Sequence, residues 1–191
     1  MLNPTVIIPQ SFKVTHEQFK ELAIANRDVR LERTATGELR IKPWFGGEAG
    51  AKSANFNGQL WSWNHQTKLG AALNSSSGFN LPNGANRSPD ASWIKLESWE
   101  ALTSEEKKGF APICPDFVVE LRSASDNMKP LREKMQEYIE NGAKLGWLID
   151  RKNRKVEVYR QGFDVEILDN PNSLSGENVL PGFILDLAEV W

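Results

Sequence analysis

One cysteine, two histidines and no long apolar run set the first limits on what this chain of 191 residues can do. With Cys114 alone, neither a disulfide framework nor a thiolate metal cluster is available, and the composition suits a reducing cytoplasm. Cys114 itself reads as a small core hydrophobe. His16 and His65 fall on different predicted helices, which argues against zinc. No stretch approaches the ~20 apolar residues of a membrane span, and MLNPTVIIPQ has no basic region leading into an apolar run. The expectation is therefore a soluble, unexported, cytoplasmic protein. An excess of positive charge is also missing: the net charge is -2, too little for coating nucleic acid through bulk charge. The glycine-rich FGGEAG at 45–50 lacks the Gly-Lys-Ser/Thr ending that cradles phosphate, and no internal repeat or low-complexity tract occurs.

What is present reads as one domain over 1–191. It comprises an N-terminal helix and hairpin over 1–44, a core over about 51–160 and C-terminal strands over 161–191. At this length the fold can bury roughly 70% of the unfolded surface. Thr15 and Gln18 have the form of a capping box, predicting a first helix that runs to about Asn26. Segments 31–34 and 38–42 predict a hairpin, with Pro43 ending the pairing. A second helix is predicted over 51–69 with Gly70 as its stop, and a strand over 75–81. A Pro82-Asn83-Gly84 turn leads into a strand over 91–96. Thr103 and Glu106 predict a second capping box. Ser125 is read as the cap of a helix whose buried stripe is Leu131, Met135, Tyr138 and Ile139. Strands follow over 145–150, 156–160 and 165–168, and VLPGFILDL packs as an edge or cover piece.

The chemistry concentrates in 113–160. On a strand over 116–122 the period of two puts Asp116, Val118, Glu120 and Arg122 on one face and Phe117, Val119 and Leu121 on the other. Charged residues near the end of a central strand point to a site. Asp116 and Glu120 are separated by roughly 13 Å along the strand and cannot chelate one ion. Asp90, at the start of a neighbouring strand, approaches Glu120 across the ~4.8 Å strand spacing. Two such carboxylates repel, and a divalent cation with oxygen preference keeps both ionised; Mg²⁺ fits best, with Mn²⁺ as a substitute. Arg122 points the same way, and Lys134 on the following helix reaches over the same strand end. Between Lys129 and Arg160, nine Lys or Arg against five Asp or Glu give a local +4, a candidate basic face.

Pro89-Asp90, then Glu120-Leu121-Arg122, then Lys134 and Tyr138 on a helix, then GWLID at 146–150 resemble the PD-(D/E)XK nuclease superfamily. The nearest branch is that of uncharacterised restriction-endonuclease-like proteins, and the resemblance spans nearly the whole chain. It implies an α/β (α+β) fold: a restriction-endonuclease-like mixed β-sheet flanked by helices, with an additional N-terminal helix and β-hairpin. It also implies Mg²⁺-dependent endonuclease cleavage of phosphodiester bonds in nucleic acid, DNA in the first place. Carried over by position, Asp90 and Glu120 match the metal-binding acids. Arg122 stands where the motif has lysine, and an arginine stabilises phosphate charge but cannot act as a base. Lys134 would take the lysine's role from the helix. Glu32 on the hairpin resembles a further acid of the branch, and Glu48 competes for that place. A homodimer is expected if both strands of a duplex are cut. Two other readings stay open: a nuclease-fold protein that binds DNA or a partner without catalysis, motivated by the replaced lysine, and a two-carboxylate glycosidase with tryptophans lining a sugar cleft.

Overall fold

The computed structural model describes residues 8–9, 11–42, 46–123 and 126–191. In chain order the elements are α1 (His16–Ala25), β1 (Arg30–Arg33), β2 (Leu39–Lys42), α2 (Gly47–Thr67), β3 (Gly70–Asn74), β4 (Phe79–Asn80), β5 (Asn86–Arg87) and β6 (Ala91–Lys95). They continue with α3 (Leu96–Glu100), α4 (Ser104–Lys108), β7 (Phe117–Leu121), α5 (Met128–Glu140), β8 (Leu145–Asp150), β9 (Lys155–Arg160), β10 (Glu166–Asp169), β11 (Ser173–Ser175) and β12 (Ile184–Asp186). No helix among them is long and apolar enough to cross a membrane.

The framework is a six-stranded mixed sheet in the order β10-β9-β8-β7-β6-β3. β7 and β8 run parallel with Glu120 beside Leu148, and the connection between them is α5. A parallel pair needs such a crossover, because a tight turn joins only antiparallel strands. All five residues of β7 are buried, and their alternation sorts them between two cores. Phe117, Val119 and Leu121 join Trp147, Phe56, Leu60 and the C-terminal Phe183 and Leu185 on one face. Val118 joins Met135, Tyr138, Leu148 and Tyr159 under α5 on the other. Glu120 shares the parity of Val118 and therefore looks toward α5. A second sheet, β2-β1-β5-β4, carries the N-terminal hairpin, and β11 pairs with β12 as a separate ribbon. This is the mixed sheet flanked by helices that the motifs imply.

Both capping boxes form: Thr15 with Gln18 opens α1, and Thr103 with Glu106 opens α4. Other expectations need correction. α2 starts at Gly47, so most of the glycine-rich stretch is helix. Burial of Ser53, Phe56 and Leu60 holds it there against the low intrinsic preference of glycine. The predicted strand over 75–81 is instead a turn at Ser75 and Ser76, directly after β3, and the two-residue β4. The short helix α3 follows β6 directly and had no signal of its own in the periodicity. Asn127 caps α5 by accepting from the Lys129 N–H, while Ser125 and Pro43 lie outside the described residues. Cys114 donates its thiol to the Tyr138 carbonyl at 3.5 Å, and burial pushes that thiol up to about 12.

Gly70 does not stop α2; Lys68, in the left-handed region at φ 55°, closes it. Gly70 opens β3, where a Cβ would stand 2.2 Å from the Ile94 carbonyl oxygen and 2.5 Å from the Trp93 ring. Backbone cannot yield as a flexible side-chain tip does. Gly70→Ala is expected to destabilise the fold by about 3 kcal/mol in denaturant unfolding, the upper end of ordinary overpacking.

Candidate active site

Three carboxylates from three parts of the chain meet where the two sheets abut. Asp90 stands one residue before β6; its N–H donates to the Val119 carbonyl at 2.9 Å, which fixes it beside the end of β7. The Leu121 N–H in turn donates to Asp90 Oδ2 at 2.8 Å. Glu120 projects from β7 toward α5, where Lys134 Nζ lies 2.6 Å from its Oε1 and the Tyr138 hydroxyl donates to the same oxygen at 3.3 Å. Glu32 comes from β1 in the second sheet. Its Oε1 accepts from Lys134 at 2.7 Å and from the Ser88 N–H at 2.9 Å, and its Oε2 from Arg87 at 3.4 Å. Asp90, Glu120, Glu32 and Lys134 are all buried.

The cations divide these oxygens between them. Lys134, one turn before Tyr138 on α5, bridges Glu32 and Glu120. Lys42, the last residue of β2, reaches Asp90 Oδ1 at 3.2 Å, Glu120 Oε2 at 3.3 Å and the Ser88 carbonyl at 3.1 Å. Arg30 contacts Asp90 Oδ1 at 3.3 Å. Sequence reasoning missed Lys42, Arg30 and Arg87: Lys42 and Arg30 reach Asp90 from the hairpin sheet, and Arg87 meets Glu32 across the pairing of β5 with β1.

Burial and charge pull these groups in opposite directions. Burial opposes ionisation of Asp90, but Lys42, the Leu121 N–H, Lys134 and Arg30 outweigh it and hold its pKa below the usual carboxylate value. Burial likewise opposes Glu32, yet Lys134, Lys42 and Arg87 bring it down to about 2. Glu120 goes the other way. Burial raises its pKa, with Asp90 and Glu32 adding negative charge, and its two lysines do not fully compensate. One Lys134 charge is shared by Glu32 and Glu120, and Glu32 has the Ser88 N–H and Arg87 in addition, so Glu120 is the acid short of positive partners.

Glu48 and Arg122 stand apart from this cluster. Glu48 pairs with Lys52 at 3.0 Å in the first turn of α2 and is exposed at the cleft mouth. Arg122 bonds Asp150 at 2.6 Å and the Asp126 carbonyl at 3.3 Å, although it also lines the cleft. Asp116 holds the Lys95 N–H and Lys144, and Asp150 closes the turn with Asn153.

The cluster forms the floor of a cleft of about 1030 Å³. Its walls carry Arg40, Lys52, Arg122, Arg151 and Lys152. The basic run after Lys129 contributes less than its charge suggested: Arg132 is bound to Glu157, Arg160 to Glu166 and Glu177, and Lys144 to Asp116. None of the six described tryptophans lines the cleft; Trp93 and Trp147 are buried in the core and Trp63 packs against it.

Among the described residues, no group of three His, Cys, Asp or Glu side chains is placed to hold one metal ion. Asp90 and Glu120 do converge, and the Ser88 carbonyl completes their oxygen set around Lys42 Nζ. A donor set made only of oxygens suits a hard cation such as Mg²⁺ or Mn²⁺ and not zinc, which favours nitrogen and sulfur. The residues present therefore fit the metal that the motif implies.

No curated protein sequence matches this chain. A solved structure described as a putative nuclease belonging to DUF820 from Anabaena variabilis is similar to it, with a TM-score of 0.78 at 19% identity. The match covers 93% of this chain and 97% of that one, a likeness of fold. Residues 16–188 match the Uma2 family, described as "Putative restriction endonuclease". By that match, and with the restriction-endonuclease-like fold of the PD-(D/E)XK superfamily, the chain belongs to the Uma2 family.

Proposed function

We propose that the protein is a metal-dependent endonuclease that hydrolyses phosphodiester bonds of DNA, with Asp90 and Glu120 as the metal-binding acids. The observation that carries this reading is the convergence of Asp90, Glu120 and the Ser88 carbonyl beside Lys134 on the floor of a cleft with basic walls. Mg²⁺ or Mn²⁺ held there would supply Lewis-acid polarisation of the scissile phosphate and a more acidic water. Lys134, held by Glu32 and Glu120, neutralises charge that develops on the phosphoryl oxygens. Tyr138 and the Leu121 N–H fix the two acids, so little reorganisation is needed at the moment of reaction.

The position of Lys134 favours catalysis over the inactive reading, because it restores in space the amine that Arg122 replaces in sequence. The tryptophan packing removes the support for a sugar cleft. Glu32 takes the place of the further acid, with Glu48 left at the entrance. Supercoiled plasmid incubated with the purified protein in Mg²⁺ is expected to become nicked, and chelator to stop the reaction. Nicking that persists in chelator, or none in Mg²⁺ or Mn²⁺, contradicts this function. Cutting of both strands of a duplex would go with a homodimer of the cytoplasmic protein, measurable as the mass in solution.

Arg151 gives the substrate a handle. Its Nη1 is buried without a hydrogen-bond partner among the described residues, and the side chain lines the same cleft as Lys152. A phosphate of the substrate would satisfy it. Arg151→Gln is expected to weaken duplex DNA binding and to reduce the slope of log K against log salt by about 1, read by fluorescence anisotropy across a salt series without metal.

A further inference from the structure

The floor of the cleft already holds a cation of its own. Lys42 Nζ lies 3.1 Å from the Ser88 carbonyl, 3.2 Å from Asp90 Oδ1, 3.3 Å from Glu120 Oε2 and 4.0 Å from Glu32 Oε1. The first three are the oxygens that would hold a divalent ion. Lys134 leaves that point alone and takes the opposite oxygen of Glu120, Oε1. We propose that Lys42 is a tethered competitor for the metal: its ammonium occupies the Ser88–Asp90–Glu120 oxygen set, and Mg²⁺ or Mn²⁺ enters as Lys42 withdraws. This rests on the metal-binding role of Asp90 and Glu120 proposed above.

Three features support it. A divalent ion takes its oxygen ligands at about 2.0–2.6 Å, so an ammonium centred among the same oxygens excludes it. The acids keep their counter-charge in the exchange: Glu32, Asp90 and Glu120 retain Lys134, Arg30 and Arg87, and the metal puts two positive charges where Lys42 had one. Lys42 is also placed to leave. It ends β2, which among the described residues is the outermost strand of its sheet, pairs with β1 alone and has no buried residue. Lys134, by contrast, is buried in the middle of α5 between two acids and stays as the permanent counter-charge.

The test is calorimetric titration of Mn²⁺ into wild type, Lys42→Met and the Lys42→Met/Glu120→Gln double variant. Lys42→Met is expected to bind at least tenfold more tightly than wild type, and the double variant to lose that binding. Equal or weaker binding by Lys42→Met overturns the competition and leaves the nuclease reading standing. Absence of Mn²⁺ binding in every variant overturns both. Amine acetylation of the wild type, mapped by mass spectrometry, gives an answer that does not depend on how the variants fold. Mn²⁺ is expected to raise labelling of Lys42 several-fold while Lys134 stays protected, and labelling of Lys42 that Mn²⁺ leaves unchanged overturns the proposal.

Discussion

Glu120→Gln is expected to lower plasmid nicking by at least about 10²–10³-fold, the scale for losing one preorganised electrostatic group at a reacting centre. The amide keeps the shape of the side chain and still accepts from Lys134 and Tyr138, but it no longer offers an anionic oxygen beside Asp90. The fold should survive. Burial already raises the pKa of Glu120, and removing its charge leaves Lys134 bound to Glu32 and Lys42 bound to Asp90. Thermal unfolding of the variant without metal is therefore expected at or above the wild-type temperature. A variant that keeps its activity, or that loses it only by unfolding, assigns Glu120 to structure.

Lys134→Met acts through the opposite balance. It removes the ammonium that lies 2.7 Å from Glu32 and 2.6 Å from Glu120 and leaves both acids buried with one cation fewer. Breaking a buried pair from one side costs about 3–5 kcal/mol, so the midpoint of denaturant unfolding should fall well below that of wild type at neutral pH. The effect has a pH signature. Glu32 has its pKa depressed from 4.5 to about 2, so its contribution is present above the unfolded value and is lost as pH falls from 4.5 toward 2. Glu120, shifted upward, takes its proton earlier and needs no cation once neutral. Both directions predict that the gap between variant and wild type narrows on acidification through that window. A gap independent of pH would mean that Lys134 contributes packing and not charge.

Local signals made much of this fold readable from the chain. The capping boxes at Thr15 and Thr103 place helices by satisfying free N–H groups within four residues, and the alternation of β7 assigns each residue to a core without knowledge of its neighbours. Asp90 and Glu120 could be paired on paper because β6 and β7 are adjacent antiparallel strands, with Ala91 beside Val119. Arg122 could not be placed in this way. It lies one residue beyond β7, where the period of two no longer governs direction, and it turns to Asp150. Lys42 is 78 residues from Glu120 and meets it only because the hairpin sheet abuts the end of the central one. The basic run after Lys129 misled for a related reason. Its partners Glu157, Glu166 and Glu177 are neighbours across strands and loops, which a count along the sequence does not reveal.

The most direct measurement is calorimetric titration of Mg²⁺ and Mn²⁺ into wild type, Asp90→Asn and Glu120→Gln, each checked for folding by circular dichroism. Saturable binding to wild type that is lost in both folded variants is the expected result. Binding that either variant retains at wild-type affinity would contradict it, as would a wild type that binds neither ion.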